Sequence, residues 1–137
     1  MPRYRVLPHT ADVGIVATGA TIEEAFENAA FGMFDLMFDL SAVGGGETCR
    51  VEAEGEVPAD LLVAWLSALL AEAEIGGLAF SRFKVEVTGD GRLRGTASGA
   101  ASGSLELRGP PVKAVTYHEA AVEAGPGGWE ARVIFDV

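Results

Sequence analysis

The sequence predicts one α+β domain over residues 1–137, a mostly antiparallel or mixed β-sheet with two main helices packed on one face. Three observations predict it. Apolar residues recur at helical spacing over two stretches, 22–38 and 58–76, and alternate with period two elsewhere, most densely after residue 80. A length of 137 residues, 49% of them hydrophobic, suits a single core.

The elements follow in chain order. Residues 3–9 alternate as a short strand that Pro8, lacking a ladder donor, ends. Residues 13–19 read as a second strand, and Thr21 with Glu24 forms a capping box that starts a helix. Ile22, Phe26, Ala29, Met33, Phe34 and Met37 give that helix a buried face, and Gly32 within it costs ~1 kcal/mol relative to alanine. In 48–54, Cys49, Val51 and Ala53 alternate with polar residues, as in a strand with one wet face. Pro58 suits a first helical position. Leu61, Leu62, Trp65, Leu66, Leu69 and Leu70 then supply a wide apolar stripe, which Gly76 and Gly77 terminate. Trp65 and Trp129 are expected in the core. Phe83, Val85 and Val87 lead to a hairpin turn at Gly89, Asp90 and Gly91. The Gly/Ser/Ala-rich stretch 95–104 is either a lightly packed strand or a loop. Leu105 with Leu107, then 113–118, then 129–136 are three further strand candidates.

Charge and composition narrow the function. Twenty acidic residues against ten basic give a net charge of -10, a field that repels phosphate backbones and favours basic partners or cations. The imbalance is local: residues 1–80 carry thirteen acids and three bases, and 81–137 carry seven of each. The lone Cys49 excludes an internal disulfide and a cysteine-based zinc site, and suits a reducing cytoplasm, the expected location. No window approaches the ~20 apolar residues of a membrane span, so neither anchor nor signal peptide is expected. The spacings of a phosphate-cradling loop and of a serine nucleophile elbow are absent, and Cys49 falls at a core-facing position where thiols are usually inert.

The acids that invite explanation are Asp12, in a strand-to-strand connection, and Asp136, next to the last residue, because neither is needed to solvate a helix. If the last strand lies beside the first two, Asp12, Asp136 and the Val137 carboxylate converge on one hard divalent cation, Mg²⁺ or Ca²⁺. Otherwise each merely caps or solvates a strand end. His9 either orients Asp12 through a hydrogen bond or is an ordinary satisfied histidine. In 113–118, alternation puts Lys113, Val115 and Tyr117 on one face and Ala114, Thr116 and His118 on the other. Lys113 either pairs with one of the two aspartates or extends into water. Glu23, Glu24 and Glu27 complement the first helix dipole.

Taken in order, 9–12, 14–17, 21–30, 61–66, 80–83, 113–118 and 132–137 resemble the archease family over nearly the whole chain, most weakly over 41–56 and 90–110. The resemblance implies a small acidic accessory factor of the RtcB-type RNA ligase, which joins tRNA halves, and not an enzyme in its own right. Such a factor promotes guanylylation of the ligase histidine by GTP and so multiple turnover; RNA is reached only through the ligase. It implies a metal-binding cluster of acids, here Asp12 and Asp136, holding Ca²⁺, Mg²⁺ or Mn²⁺, with Lys113 in the activating role. Where many relatives have Asn-Glu on the second helix, this chain has Ser67 and Ala68; Glu72 or Glu74 replaces that acid only if the helix brings it round. Two other classes stay open: a chaperone-like modulator of a tRNA methyltransferase, and a small metal-dependent hydrolase, which lacks a recognisable nucleophile and base.

Overall fold

The structure is a computed structural model that describes residues 3–7, 12–41, 43 and 46–137. Seven strands and two helices alternate as β1 (Tyr4–Leu7), β2 (Asp12–Gly19), α1 (Ile22–Met37), β3 (Glu47–Glu54), α2 (Pro58–Gly76), β4 (Leu78–Thr88), β5 (Arg92–Ala101), β6 (Ala114–Gly125) and β7 (Gly128–Asp136), with a short 3₁₀ turn at Ser102–Ser104. The α+β reading holds, with one refinement. The strands form two sheets, one ordered β1-β2-β7-β6 and the other β3-β5-β4, and every pairing is antiparallel.

Both sheets turn their apolar faces to the helices. Helix α1 packs on β2 and β7 of the first sheet and on β4 of the second, and α2 packs on β6 of the first and β3 of the second. One continuous core results, in which Phe26, Phe34, Trp65, Phe80 and Phe135 are fully buried. Each such side chain contributes about 1.5–3 kcal/mol of burial. Phe34 meets Phe80 edge-on at 5.4 Å between centroids, and the Trp65 indole N–H donates to the Phe26 carbonyl at 3.1 Å, which satisfies its one polar atom. Trp129, expected in the core, is half-buried against its margin.

Local chemistry sets the helix ends. Thr21 Oγ1 accepts from Glu24 N–H at 3.1 Å, and Glu24 Oε1 accepts in return from Ala20 N–H at 3.0 Å, so the capping box closes one residue outside its usual frame. Glu27 does more than complement the dipole: its Oε2 accepts from Val85 N–H at 2.9 Å and ties α1 to β4. Helix α2 starts on Pro58 and stops at Gly77, which adopts φ 63° and donates its N–H to Ala73 O.

The stretch 95–104 resolves as strand. It supplies most of β5, the central strand of its sheet, and its small residues are a packing requirement: a Cβ on Gly95 would stand 2.5 Å from Trp65 Cζ3. The strand expected at Leu105 and Leu107 does not form. Leu107 makes an isolated bridge to Phe38 and is 75% exposed, while Asp39 N–H donates to Glu106 O and Arg108 N–H to Met37 O. This segment is a connection laced to the end of α1. Arg108 and the Tyr4 hydroxyl both donate to Asp35, at 2.9 and 2.7 Å, and the tie pins β1 to the same place. Burial, helped by the bond to Asp35, pushes the Tyr4 hydroxyl up to about 12.

Candidate functional site

Strands β2 and β7 pair along their whole length, and the pair that closes the ladder is Asp12 opposite Asp136. Alternation fixes the faces: Ile15, Ala17, Val133 and Phe135 point into the core, so Asp12 and Asp136 lie on the other face. Directly opposed residues have Cβ atoms ~4.5–5.5 Å apart. Two carboxylates drawn from residues 124 positions apart therefore sit side by side at one rim, where Asp12 is half-buried and Asp136 exposed. Neither has a cationic partner among the described residues. Like charges directly opposed in a sheet are destabilising, so this rim stores repulsion.

Lys113 adjoins this rim through its backbone, and the residue of β6 that shares the face of Asp136 is Ala114. The register places Ala114 opposite Asp136 on the strand's other side, and Lys113 N–H donates to Asp136 O at 2.7 Å. Val112, 3% exposed and donating its N–H to Met37 Sδ at 3.2 Å, anchors the approach to β6. The Lys113 side chain is exposed and makes no ion pair among the described residues, so of its two expected states it takes the solvated one. Val137, one residue beyond Asp136, packs its side chain against the core. His9 lies outside the described residues.

The alternation expected through 113–118 fails after Thr116. Thr116 pairs with Ile134 and the next paired residue is Ala121, opposite Arg132, so 117–120 bulge out against a single partner position. The bulge leaves Tyr117 66% exposed, puts His118 Nε2 3.5 Å from Glu119 Oε2, and holds Glu119 at φ 54°. No signal in the period of the sequence announces it. The second helix brings no third acid: among the described residues no three His, Cys, Asp or Glu side chains stand close enough to hold a metal ion. Glu72 lies instead by Cys49, whose thiol is pushed up by burial and by that carboxylate, and so stays neutral and inert.

The two aspartates suit a hard cation in chemistry and in spacing. Ca²⁺ takes six to eight oxygen ligands, and Mg²⁺ six. Asp12 and Asp136 could supply only a minority of these.

Residues 4–137 match the model of the archease protein family (MTH1598/TM1083). The chain belongs to the archease family. It is similar to the protein archease of Methanosarcina mazei, at 37% identity over 98% of this chain and 96% of the relative. It is also similar to that of Methanothermobacter thermautotrophicus, at 42% identity over the full length of both. The solution structure of Methanobacterium thermoautotrophicum protein 1598 superposes with a TM-score of 0.80 at 37% identity, covering all of both chains. The crystal structure of an archease described as a possible chaperone, from Thermotoga maritima, shares the fold, with a TM-score of 0.65 at 21% identity over 96% of this chain and 94% of that one. No helix among the described residues of this archease is long and apolar enough to cross a membrane.

Proposed function

We propose that this archease is an activator of an RtcB-type RNA ligase, acting in tRNA splicing and RNA repair by promoting guanylylation of the ligase histidine through an Asp12–Asp136 cation site with Lys113 beside it. The observation that carries the reading is the in-register pair of aspartates, without a cationic partner among the described residues, with the Lys113 backbone bonded to one of them. When the ligase histidine attacks the α-phosphorus of GTP, pyrophosphate leaves and negative charge builds on the phosphates. A bound divalent cation supplies charge stabilisation at such phosphates. The residues of this chain do the rest. Asp12 and Asp136, fixed by the ladder, hold their carboxylates at a set spacing without reorganisation, and the exposed Lys113 side chain, whose backbone N–H bonds Asp136 O, offers a further positive charge to the leaving phosphates. Elsewhere the chain is negative, and long-range attraction steers it to the basic nucleotide- and RNA-binding face of a ligase.

Multiple-turnover ligation by a partner ligase tests the reading. Wild-type protein sustains turnover in the presence of a divalent cation, and Asp12→Ala or Asp136→Ala abolishes the stimulation while leaving the fold intact. Unchanged stimulation by both variants overturns the site. The alternative, a chaperone-like modulator of a tRNA methyltransferase, would act through the acidic surface, and its effect would survive chelation of divalent cations.

A further inference from the structure

Five of the ten lysines and arginines of this acidic chain stand on the outer face of the three-stranded sheet. The core takes Val51, Ala53, Val85, Leu93 and Ala97, which leaves the alternate residues outside. The register orders them in four rows across β3, β5 and β4: Glu54, Arg92 and Thr88; Glu52, Arg94 and Glu86; Arg50, Thr96 and Lys84; Thr48, Ser98 and Arg82. The first two rows offset their cations with acids, two to each arginine: Glu54 and Asp90 about Arg92, and Glu52 and Glu86 about Arg94. Arg92 Nε lies 3.7 Å from Glu54 and 3.8 Å from Asp90, and Arg94 lies 3.3 Å from Glu86.

The other two rows do not. Arg50, Lys84 and Arg82 are exposed and make no ion pair among the described residues, and between them runs a column of two short hydroxyl side chains, Thr96 and Ser98. Strand spacing sets Arg50 and Lys84 about 10 Å apart across Thr96, and residue rise sets Arg82 and Lys84 about 7 Å apart along β4. The result is a shallow trough with hydroxyl donors on its floor and cations on its walls. It continues round the edge of β4, where Arg82 lines a cleft with Arg3, whose guanidinium lies 4.0 Å over the Phe31 ring, and with Glu27, whose carboxylate is engaged by Val85 N–H.

We propose that this face binds the phosphate backbone of RNA. Arginine, lysine, serine and threonine are the side chains that reach phosphate oxygens in nucleic-acid complexes. The face lacks what other occupants need. Among the described residues the exposed large apolar ones are Val6, Val57, Ile75, Leu107 and Tyr117, none of them on it, so they give it no anchor of the kind that carries protein interfaces and no aromatic platform for stacking bases. Recognition is therefore of phosphates and independent of sequence. The overall charge of -10 does not forbid it, because charges beyond the Debye length of about 8 Å at physiological salt are largely screened; the nearest acids on the face, Glu52 and Glu86, stand about 7 Å along the strands from Arg50 and Lys84 with Arg94 between them. That the strand is RNA and not DNA rests on the ligase reading above; the phosphate chemistry does not.

Fluorescence anisotropy of a labelled single-stranded RNA oligonucleotide with the full chain tests the proposal. The wild type binds at low salt with a log–log salt slope of about -2, the value for three phosphates neutralised on a single strand. The triple variant Arg50→Ala, Arg82→Ala, Lys84→Ala, with unchanged circular dichroism, loses roughly tenfold or more in affinity, yet still supports ligase guanylylation in the absence of RNA. No RNA binding at low salt, or binding that the triple variant retains, overturns the proposal. Loss of co-elution with the ligase in that variant, without RNA binding by the wild type, makes the face a protein contact and overturns it as well. Neither result bears on the Asp12 and Asp136 site, whose variants fail in guanylylation itself.

Discussion

In the three-stranded sheet Glu86 faces Arg94 and Glu54 faces Arg92 across neighbouring strands, whereas at the rim of the four-stranded sheet Asp12 faces Asp136. The geometry is the same and the charge logic is reversed. Opposed unlike charges contribute a few tenths of a kcal/mol to about 1 kcal/mol, and opposed like charges cost a similar amount. The four-stranded sheet holds a second opposed like pair, Glu123 and Glu130 on β6 and β7, so it is position and not repulsion alone that sets the aspartates apart. Asp12 and Asp136 are the pair at the end of the β2–β7 ladder.

The largest effect expected from breaking the contrast is functional. Asp136→Ala or Asp12→Ala removes a ligand of a charged centre, and stimulation of multiple-turnover ligation falls by tenfold or more, on the order of what single groups aimed at developing charge contribute. Next comes the response to cations in thermal melts. Ca²⁺, Mg²⁺ or Mn²⁺ at about a hundred times its dissociation constant stabilises the wild type by ~2.7 kcal/mol, and the Asp12→Asn, Asp136→Asn double variant shows no such gain. Without divalent cations the order inverts: Asp12→Asn unfolds at higher urea than wild type, by about 0.2–1 kcal/mol, because the repulsion is gone. Smallest is the paired sheet, where Glu86→Gln costs about 0.2–1 kcal/mol, since Arg94 and Glu86 are both largely exposed.

A pH titration gives a further check outside both charge sets. The Tyr4 hydroxyl is raised by burial and by its bond to Asp35 to about 12 from its ordinary 10.0, so its neutral form is favoured in the folded state. The unfolded chain loses that proton first, which means the contribution is complete below pH 10 and is lost as pH rises towards 12. Urea unfolding followed between pH 9 and 12 on the wild type and Tyr4→Phe should show a steeper alkaline decline in the wild type.

Much of this was legible in the sequence where a residue type has one physical use. The Thr21 and Glu24 pair marked the start of α1, the leucines around Trp65 marked α2, and the glycines at 89 and 91 marked the β4–β5 hairpin, whose register closes at Thr88 opposite Arg92. Other features depended on neighbours that composition does not name. Residues 95–101 read equally as loop because their glycines and alanines look unpacked, yet they are small for the sake of Trp65 and the two flanking strands. Leu105 and Leu107 alternate like a strand but find only one bridge, to Phe38, and the division into two sheets is invisible to any local period. At the candidate site, the ladder sets Asp12 opposite Asp136, and the Lys113 N–H bonds Asp136 O. The bulge at 117–120 was not foreseen, because a register shift is a property of two strands and not of one.

The central claim is that the aspartates of the first and last paired positions of β2 and β7 act together, through a cation, on guanylate transfer. Its most direct test is the initial rate of radiolabelled GMP transfer to the ligase histidine, without RNA, in the presence of wild-type protein or the Asp12→Asn, Asp136→Asn double variant, each with and without divalent cation beyond what the ligase itself requires. The account predicts acceleration by the wild type that is lost in the double variant although the variant melts no lower. Equal acceleration by both proteins would contradict it.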